Sequence, residues 1–535
     1  MGIPSYFSYI IKNHSGIVST SVQTIIHRLY MDCNSILYDA YHSFSSKKEE
    51  GKEEGGKEEG GKEEEREEYI IQYTIQKINE YIDKIKPIES VFIAFDGVAP
   101  MAKMEQQRNR RYKSWFETKM KQLIYEKEET FHTTCIFTPG TIFMNQLSEK
   151  IKKEFSKKNG TLYKIIVTTP DEPGEGEHKL FSHLRKNPLT HPIAIYGLDA
   201  DLLMLSLCHL TICPNIYVFR EAPQFAQVLM GQEKESHEPF FLNIGKLGRS
   251  ITYEMKVSCP NPHRMYDYVF LCFFLGNDFL PHFPALNIRT FGIQRLLDVY
   301  RKTIGNKPHC FLLSEDKKIV WSELILFIKE LAKYELEFIK QEYEYRNKRT
   351  FSVTKNKTPE EKEELFLNTP LIYRGEETFI CPTKKGWEDR YYLTLFDDVQ
   401  IPTLCDNYLD GLEWVRGYYL GEDVDWKWKY YYAYPPLLQD LLKHIPKEYK
   451  EKEKTLKALH PYTQLCYVLP PIHQEKLLPP KVFEYLQKWS HLFPTEELQF
   501  QWSFCRYFWE SHVNLPEITD ETIEEWDTLF RVSKY

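Results

Sequence analysis

Along the first half of the chain, short apolar blocks recur, each followed by acidic residues. Residues 25–31 form a mixed apolar run that ends at Asp32, and residues 91–95 (Val-Phe-Ile-Ala-Phe) lead into Asp96. Residues 165–168 precede the stretch PDEPGEGEHK, and residues 193–197 precede DADLLML. Blocks of this length, rich in β-branched and aromatic residues, predict buried strands. Helical periods lie between them. Ile71, Ile75, Ile78, Ile82 and Ile85 share one face of a helix that Pro87 stops, and residues 103–127 are a long basic run of helix formers. Alternating strands and helices predict an α/β domain with a largely parallel sheet. Such a sheet places its ligands where the strands end.

The second half reads differently. Residues 269–282, VFLCFFLGNDFLPH, are core-grade apolar residues around a single Asn-Asp pair. A carboxylate in such surroundings is costly unless it is paired or holds a metal. Residues 324–346 predict one long charged helix, and residues 352–363 an exposed polar loop. From Asn407 onward the chain turns aromatic, and helices alternate with Pro-rich joints such as 470–480. We divide the chain into a core over 1–310, a variable helical linker over 311–395 and a second helical region over 396–535 packed on the core. Residues 47–68, a Lys-Glu-Gly repeat, cannot form a core and read as a disordered or loosely helical surface insertion.

Composition narrows the class. At 42% hydrophobic and 15% aromatic the chain is a folded protein. A formal net charge of -8 gives no global signal for nucleic acid, although a cleft can carry its own field. The 11 cysteines show no CxxC pair, which excludes a common zinc module and suits a reduced compartment. No apolar run is long enough to span a membrane.

Seven carboxylates stand out by position: Asp32, Asp96, Glu175, Glu177, Asp199, Asp201 and Asp278. Each alone reads as a helix cap or turn residue. Placed together at strand ends they would repel one another unless divalent cations removed the cost. Oxygen-only ligands suit Mg²⁺ or Mn²⁺ rather than zinc. Two such ions suit phosphodiester hydrolysis, by lowering the pKa of water and stabilising charge on the phosphate. After Asp96, Lys103, Gln107, Arg110 and Arg111 share one helical face, the donors expected of a small phosphate pocket or of a solvated basic face.

The segments MGIPSYFSYI, DCNSILY, FDGVAPMAKMEQQRNRR, PGEGEHK, YGLDADLLML and GNDFLPH, followed by GLEWVRGYY, WKWKYYYAYPP and PYTQLCYVLP, resemble the eukaryotic 5′→3′ exoribonuclease (Xrn) family in content and order. The likeness spares only 47–68 and much of 311–395. It implies a flap-endonuclease-like (PIN-like) α/β nuclease core plus a helical, aromatic-rich second region. It also implies Mg²⁺-dependent, processive decay of single-stranded RNA from a 5′-monophosphate end, releasing nucleoside 5′-monophosphates. On this likeness the seven carboxylates match the family's metal-site motifs, and Lys103, Gln107, Arg110 and Arg111 match its 5′-phosphate pocket. The family stacks the first bases between a His and a Trp. Tyr38 stands at the His position here, and either Trp426 or Trp428 supplies the Trp. Met101 replaces a usual basic residue at the pocket rim. The length suggests a compact member, as in a large DNA virus.

The expected partners are 5′-monophosphorylated RNA and a decapping activity that supplies it, with no membrane and a monomeric chain. The expected location is the cytoplasm, with the nucleus open. Two other classes compete: a structure-specific 5′ flap endonuclease on DNA, for which no helix-hairpin-helix glycine signature is present, and a non-catalytic RNA-binding scaffold, which would be expected to lose carboxylates.

Overall fold

The computed structural model describes residues 3, 5–50, 59–126, 133–156, 163–197, 199–221, 238–258, 261–348 and 358–532. Its centre is a seven-stranded sheet. The strands are β1 (Val18–Ser19), β2 (Arg28–Asp32), β3 (Ser90–Ala94), β4 (Lys164–Thr168), β5 (Ile193–Tyr196), β6 (Ile216–Glu221) and β7 (Pro239–Asn243). They lie in the order β1-β7-β6-β5-β2-β3-β4. From β6 to β4 all neighbours run parallel, while β7 and β1 close one edge antiparallel.

The alternation of side chains explains why the central strands are apolar throughout. Leu29 and Met31 of β2, Val91 and Ile93 of β3, and Ala194 and Tyr196 of β5 enter one core, beneath the helix that carries Ile70, Ile71 and Ile78. Tyr30, Phe92, Ile193 and Ile195 point to the other core. That second core is continuous with the later helices. It joins Leu203 and Phe274 to Tyr408, Leu412 and Tyr419 of the helix Ile401–Leu420. Another cluster packs Leu465 and Val468 of the helix Pro461–Val468 on Met101 and Met104 of the helix Met101–Tyr125.

Three expectations change. The isoleucine helix starts at Glu59, not near 70, and runs to Ile85. The end of the charged repeat is therefore helical, and Arg66 is buried, its guanidinium 5.6 Å from the Tyr41 ring; the middle of the repeat, 51–58, lies outside the described residues. The single helix predicted over 324–346 is two: Trp321–Ala332, which buries an apolar face of Trp321, Leu324, Phe327, Ile328 and Leu331, and Glu335–Asn347, which buries Ile339 among the charged Glu335, Glu342 and Arg346. In the predicted loop 352–363, a helix Pro359–Leu367 begins behind a Thr358–Glu361 capping box, and 352–357 lie outside the described residues. Among the described residues no helix is long and apolar enough to cross a membrane.

Candidate active site

Strands β2, β3 and β4 step outward in one direction, and β5 and β6 in the other. The order reverses between β2 and β5, and parallel pairing puts all their carboxyl ends on one edge. A crevice forms at such a reversal. Asp32 is the last residue of β2, Asp96 lies two residues beyond β3, and Glu175 holds the N-cap position of the helix Gly176–Lys186 after β4, its side chain making no cap bond. Asp199 caps the helix Ala200–Cys208 after β5, accepting from the Leu202 N–H at 2.8 Å, and Asp201 lies in its first turn.

The packing of these carboxylates is close. The Gly176 N–H donates to Asp96 Oδ1 at 2.7 Å. A Cβ on Gly176 would stand 2.7 Å from Asp32 Oδ1, so only glycine lets the helix approach both acids. Asn34 locks Asp96 from the other side: its Nδ2 donates to Asp96 Oδ2 at 2.6 Å and its Oδ1 accepts from the Asp96 N–H at 3.0 Å. Asp278 arrives from beyond the helix Arg264–Cys272, after Gly276 at φ +81°, whose missing Cβ makes room for His282.

Electrostatics record the crowding. Burial, then Asp96 and Asp199, push Asp32 well above the usual carboxylate range. Burial, then Asp199 and Asp201, do the same to Glu177, and burial with Glu175 raises Asp96. Asp201 is pushed up to about 7 by burial and by Asp278. One cation answers part of this charge. Lys103 Nζ lies 2.7 Å from Glu175 Oε2 and 2.8 Å from Asp278 Oδ2, with its side chain 12% exposed. Burial would raise Asp278, but Lys103 overrides it and holds Asp278 below its ordinary range.

The donor set suits a hard cation. Every candidate ligand is a carboxylate oxygen, and Asp32 Oδ1 and Glu177 Oε2 are buried with no hydrogen-bond partner among the described residues. Among those residues no group of three or more His, Cys, Asp and Glu side chains is already gathered at metal-holding spacing. Lys103 draws Glu175 and Asp278 to itself, and two phenols hold other oxygens. Tyr418 donates to Glu175 and Tyr419 to Asp201.

The other pocket candidates, Gln107, Arg110 and Arg111, fan out along the same helix. Gln107 accepts from Gln464 Nε2 at 3.3 Å. Arg111 Nη2 donates to Thr138 Oγ1 at 2.6 Å. Arg110 lines a cavity of about 420 Å³ with Asp278, His282, Arg289 and Trp509. Glu175, His178, Lys179 and Trp426 line a second cavity, of about 450 Å³.

Two family models match the chain: one described as "XRN 5'-3' exonuclease N-terminus" over residues 1–222, and one described as "Xrn1 helical domain" over 263–378 and 380–528. The chain belongs to the Xrn 5′–3′ exonuclease family. Its α/β half is accordingly a PIN-like nuclease fold, with the mostly parallel sheet and the helical, aromatic-rich second region expected from the sequence. The 5'-3' exoribonuclease 1 of Schizosaccharomyces pombe is 26% identical, over 90% of this chain and 44% of that protein. The 5'-3' exoribonuclease 2 of Arabidopsis thaliana is 24% identical, over 93% of this chain and 62% of that protein. The 5'-3' exoribonuclease 2 of S. pombe is 31% identical, over 56% of this chain and 36% of that protein. The chain thus spans less than two thirds of each of these relatives.

Within this Xrn chain the two tryptophans separate. Trp428 stacks on Trp414 at 5.1 Å and packs against Gly411 of the helix Ile401–Leu420. Trp426 lines the cavity beside Glu175, its backbone bonded to Met101 and Thr455. Tyr38 meets Phe137 edge-on at 5.1 Å, at the margin of the core beneath the helix Glu59–Ile85. Sequence reasoning missed Asn34, Tyr418 and Tyr419. Asn34 sits two residues after Asp32, and the tyrosine pair ends an apolar helix in GLEWVRGYY. A polar residue beside a candidate ligand, or a phenol pair closing such a helix, is the signal that could have found them.

Proposed function

We propose that the chain is a divalent-metal-dependent 5′→3′ exoribonuclease acting on single-stranded RNA with a 5′-monophosphate end, releasing nucleoside 5′-monophosphates. What supports this reading is the set of carboxylates at the sheet's reversal point, with Lys103 against Glu175 and Asp278 and with Trp426 lining a cavity beside Glu175. Asp32, Asp96, Glu177, Asp199 and Asp201 would hold the cation, with Glu175 and Asp278 beside them. A divalent ion there supplies stabilisation of the phosphate charge and a lowered pKa for water. Mg²⁺ suits the all-oxygen set, and Mn²⁺ can replace it.

The chain's own residues do the rest. Gln107, Arg110 and Arg111 bind the terminal phosphate, and Lys103, already between two carboxylates, adds charge where the phosphate and the acids meet. Trp426 stacks a base, and Tyr38 is the second stacking surface; stacking of this kind is worth about 1–3 kcal/mol per base and tolerates any sequence. Trp428 serves the core. Decapped messenger RNA supplies ends of this chemistry.

The test is a time course with Mg²⁺ on one 3′-labelled RNA carrying a 5′-monophosphate, a 5′-triphosphate or a 5′-hydroxyl. The expected result is rapid loss of the monophosphate form with mononucleotide product. Equal internal cutting of all three forms makes the chain an endonuclease, and binding without cutting makes it a scaffold.

A further inference from the structure

The motif PYTQLCYVLP has no role in the site as built so far, yet one of its residues reaches the basic helix. Gln464, in the helix Pro461–Val468, is fully buried. The Ala99 N–H donates to Gln464 Oε1 at 3.0 Å. A backbone N–H can only donate, so the Gln464 oxygen is fixed at that end and the amide nitrogen at the other. That nitrogen donates to Gln107 Oε1 at 3.3 Å. With its oxygen engaged, Gln107 has only its Nε2 hydrogens to offer an occupant of the pocket. Thr138 orients Arg111, which can only donate, from a neighbouring position. Its hydroxyl donates to the Cys135 carbonyl at 2.6 Å and accepts from Arg111 Nη2 at 2.6 Å. Arg111 Nη1 is left buried and without a hydrogen-bond partner among the described residues.

We propose that Gln464 is a positioning residue that sets the polarity of the terminal-phosphate pocket, turning Gln107 into an obligate donor and so favouring an anionic 5′ end. The inference rests on the reading of Gln107 and its neighbours as that pocket. An amide free to rotate would present either a donor or an acceptor, and an acceptor facing a phosphate repels it. Gln464 removes that choice before the RNA arrives, at the cost of no charge in the pocket.

The experiment compares Gln464→Met, Gln464→Asn, Gln107→Ala and the double variant Gln464→Met with Gln107→Ala. Methionine keeps the volume but loses both hydrogen bonds. Asparagine stays polar but is one methylene too short to span Ala99 and Gln107, and it answers the question if the methionine variant does not fold. KM and kcat are measured on 5′-monophosphate and 5′-hydroxyl RNA, with the thermal midpoint alongside. For the Gln464 variants we expect a KM for 5′-monophosphate RNA raised about twofold, the cost of a free choice between two amide orientations, and for Gln107→Ala about tenfold, the scale of losing one hydrogen bond to a charged group. In the Gln464 variants the kcat and the 5′-hydroxyl values should hold, and Gln464→Met should add nothing once Gln107 is Ala. Equal weakening of both RNAs, or a full further loss in the Gln107→Ala background, makes Gln464 merely structural and overturns the inference. An unchanged monophosphate preference in Gln107→Ala itself removes the pocket reading, and the inference with it.

Discussion

Replacing Lys103 with Met asks whether this ammonium and a metal ion neutralise the same carboxylates. Lys103 Nζ touches Glu175 at 2.7 Å and Asp278 at 2.8 Å in a largely buried setting. At an effective dielectric of about 20, each contact is worth roughly 6 kcal/mol in gross Coulomb energy. Most of that repays the desolvation of three charges. Removing one partner of a buried pair costs about 3–5 kcal/mol, because the remaining charges stay buried. If the chain of 535 residues unfolds as a unit, its unfolding entropy is about 1.1 kcal/mol/K, which converts this cost into a midpoint about 3–4 °C lower. The assay is a thermal melt of both proteins in chelator and in excess Mg²⁺. In chelator Lys103→Met should melt lower by that amount. In Mg²⁺ the gap should close or reverse, because the ion binds the folded state of the variant more tightly than that of a protein whose lysine competes for Glu175 and Asp278. Equal midpoints in chelator, or a deficit that Mg²⁺ leaves untouched, would refute the reasoning.

Asp199→Ala and Asp201→Ala should each abolish cleavage while sparing RNA binding by filter retention; full activity in both removes them from the cation site. Asp201 is raised from 3.8 to about 7 in the fold, so the folded chain binds the extra proton and stability should fall as pH rises between those values. Asp32, Asp96 and Glu177 are shifted in the same direction, and excess Mg²⁺ should flatten the slope in a pH series of melts. Trp426→Ala should raise KM for single-stranded RNA about tenfold with the melt unchanged. Trp428→Ala should lower stability by about 3–5 kcal/mol, since it empties a packed site against Trp414. The reverse pattern exchanges their roles.

The sheet was legible because each central strand is apolar on both faces and ends at an acid, and a parallel sheet gathers strand ends without further information. The carboxylates that follow β2, β3 and β5 could therefore be named from the sequence. What lay outside it is tertiary. Nothing in the spacing of Lys103, Gln107, Arg110 and Arg111 tells that Lys103 bends toward Glu175 and Asp278 while Arg111 meets Thr138. The motif WKWK gives both tryptophans the same neighbours, and only packing against Gly411 and Trp414 separates them. Arg66 was hidden for a different reason. A charged, glycine-broken tract reads as solvated, but an arginine stem can lie along an aromatic ring and carry a helix backward into such a tract.

The two phenols from the helix Ile401–Leu420 bear on how such a protein is made. Translation delivers every candidate ligand from Asp32 to Asp278 before Tyr418 and Tyr419 leave the ribosome. Until they do, Glu175 and Asp201 lack their phenol partners and one wall of the crevice is missing. The order of synthesis thus leaves the candidate site without its last wall until the helix Ile401–Leu420 has been made and has packed on the sheet.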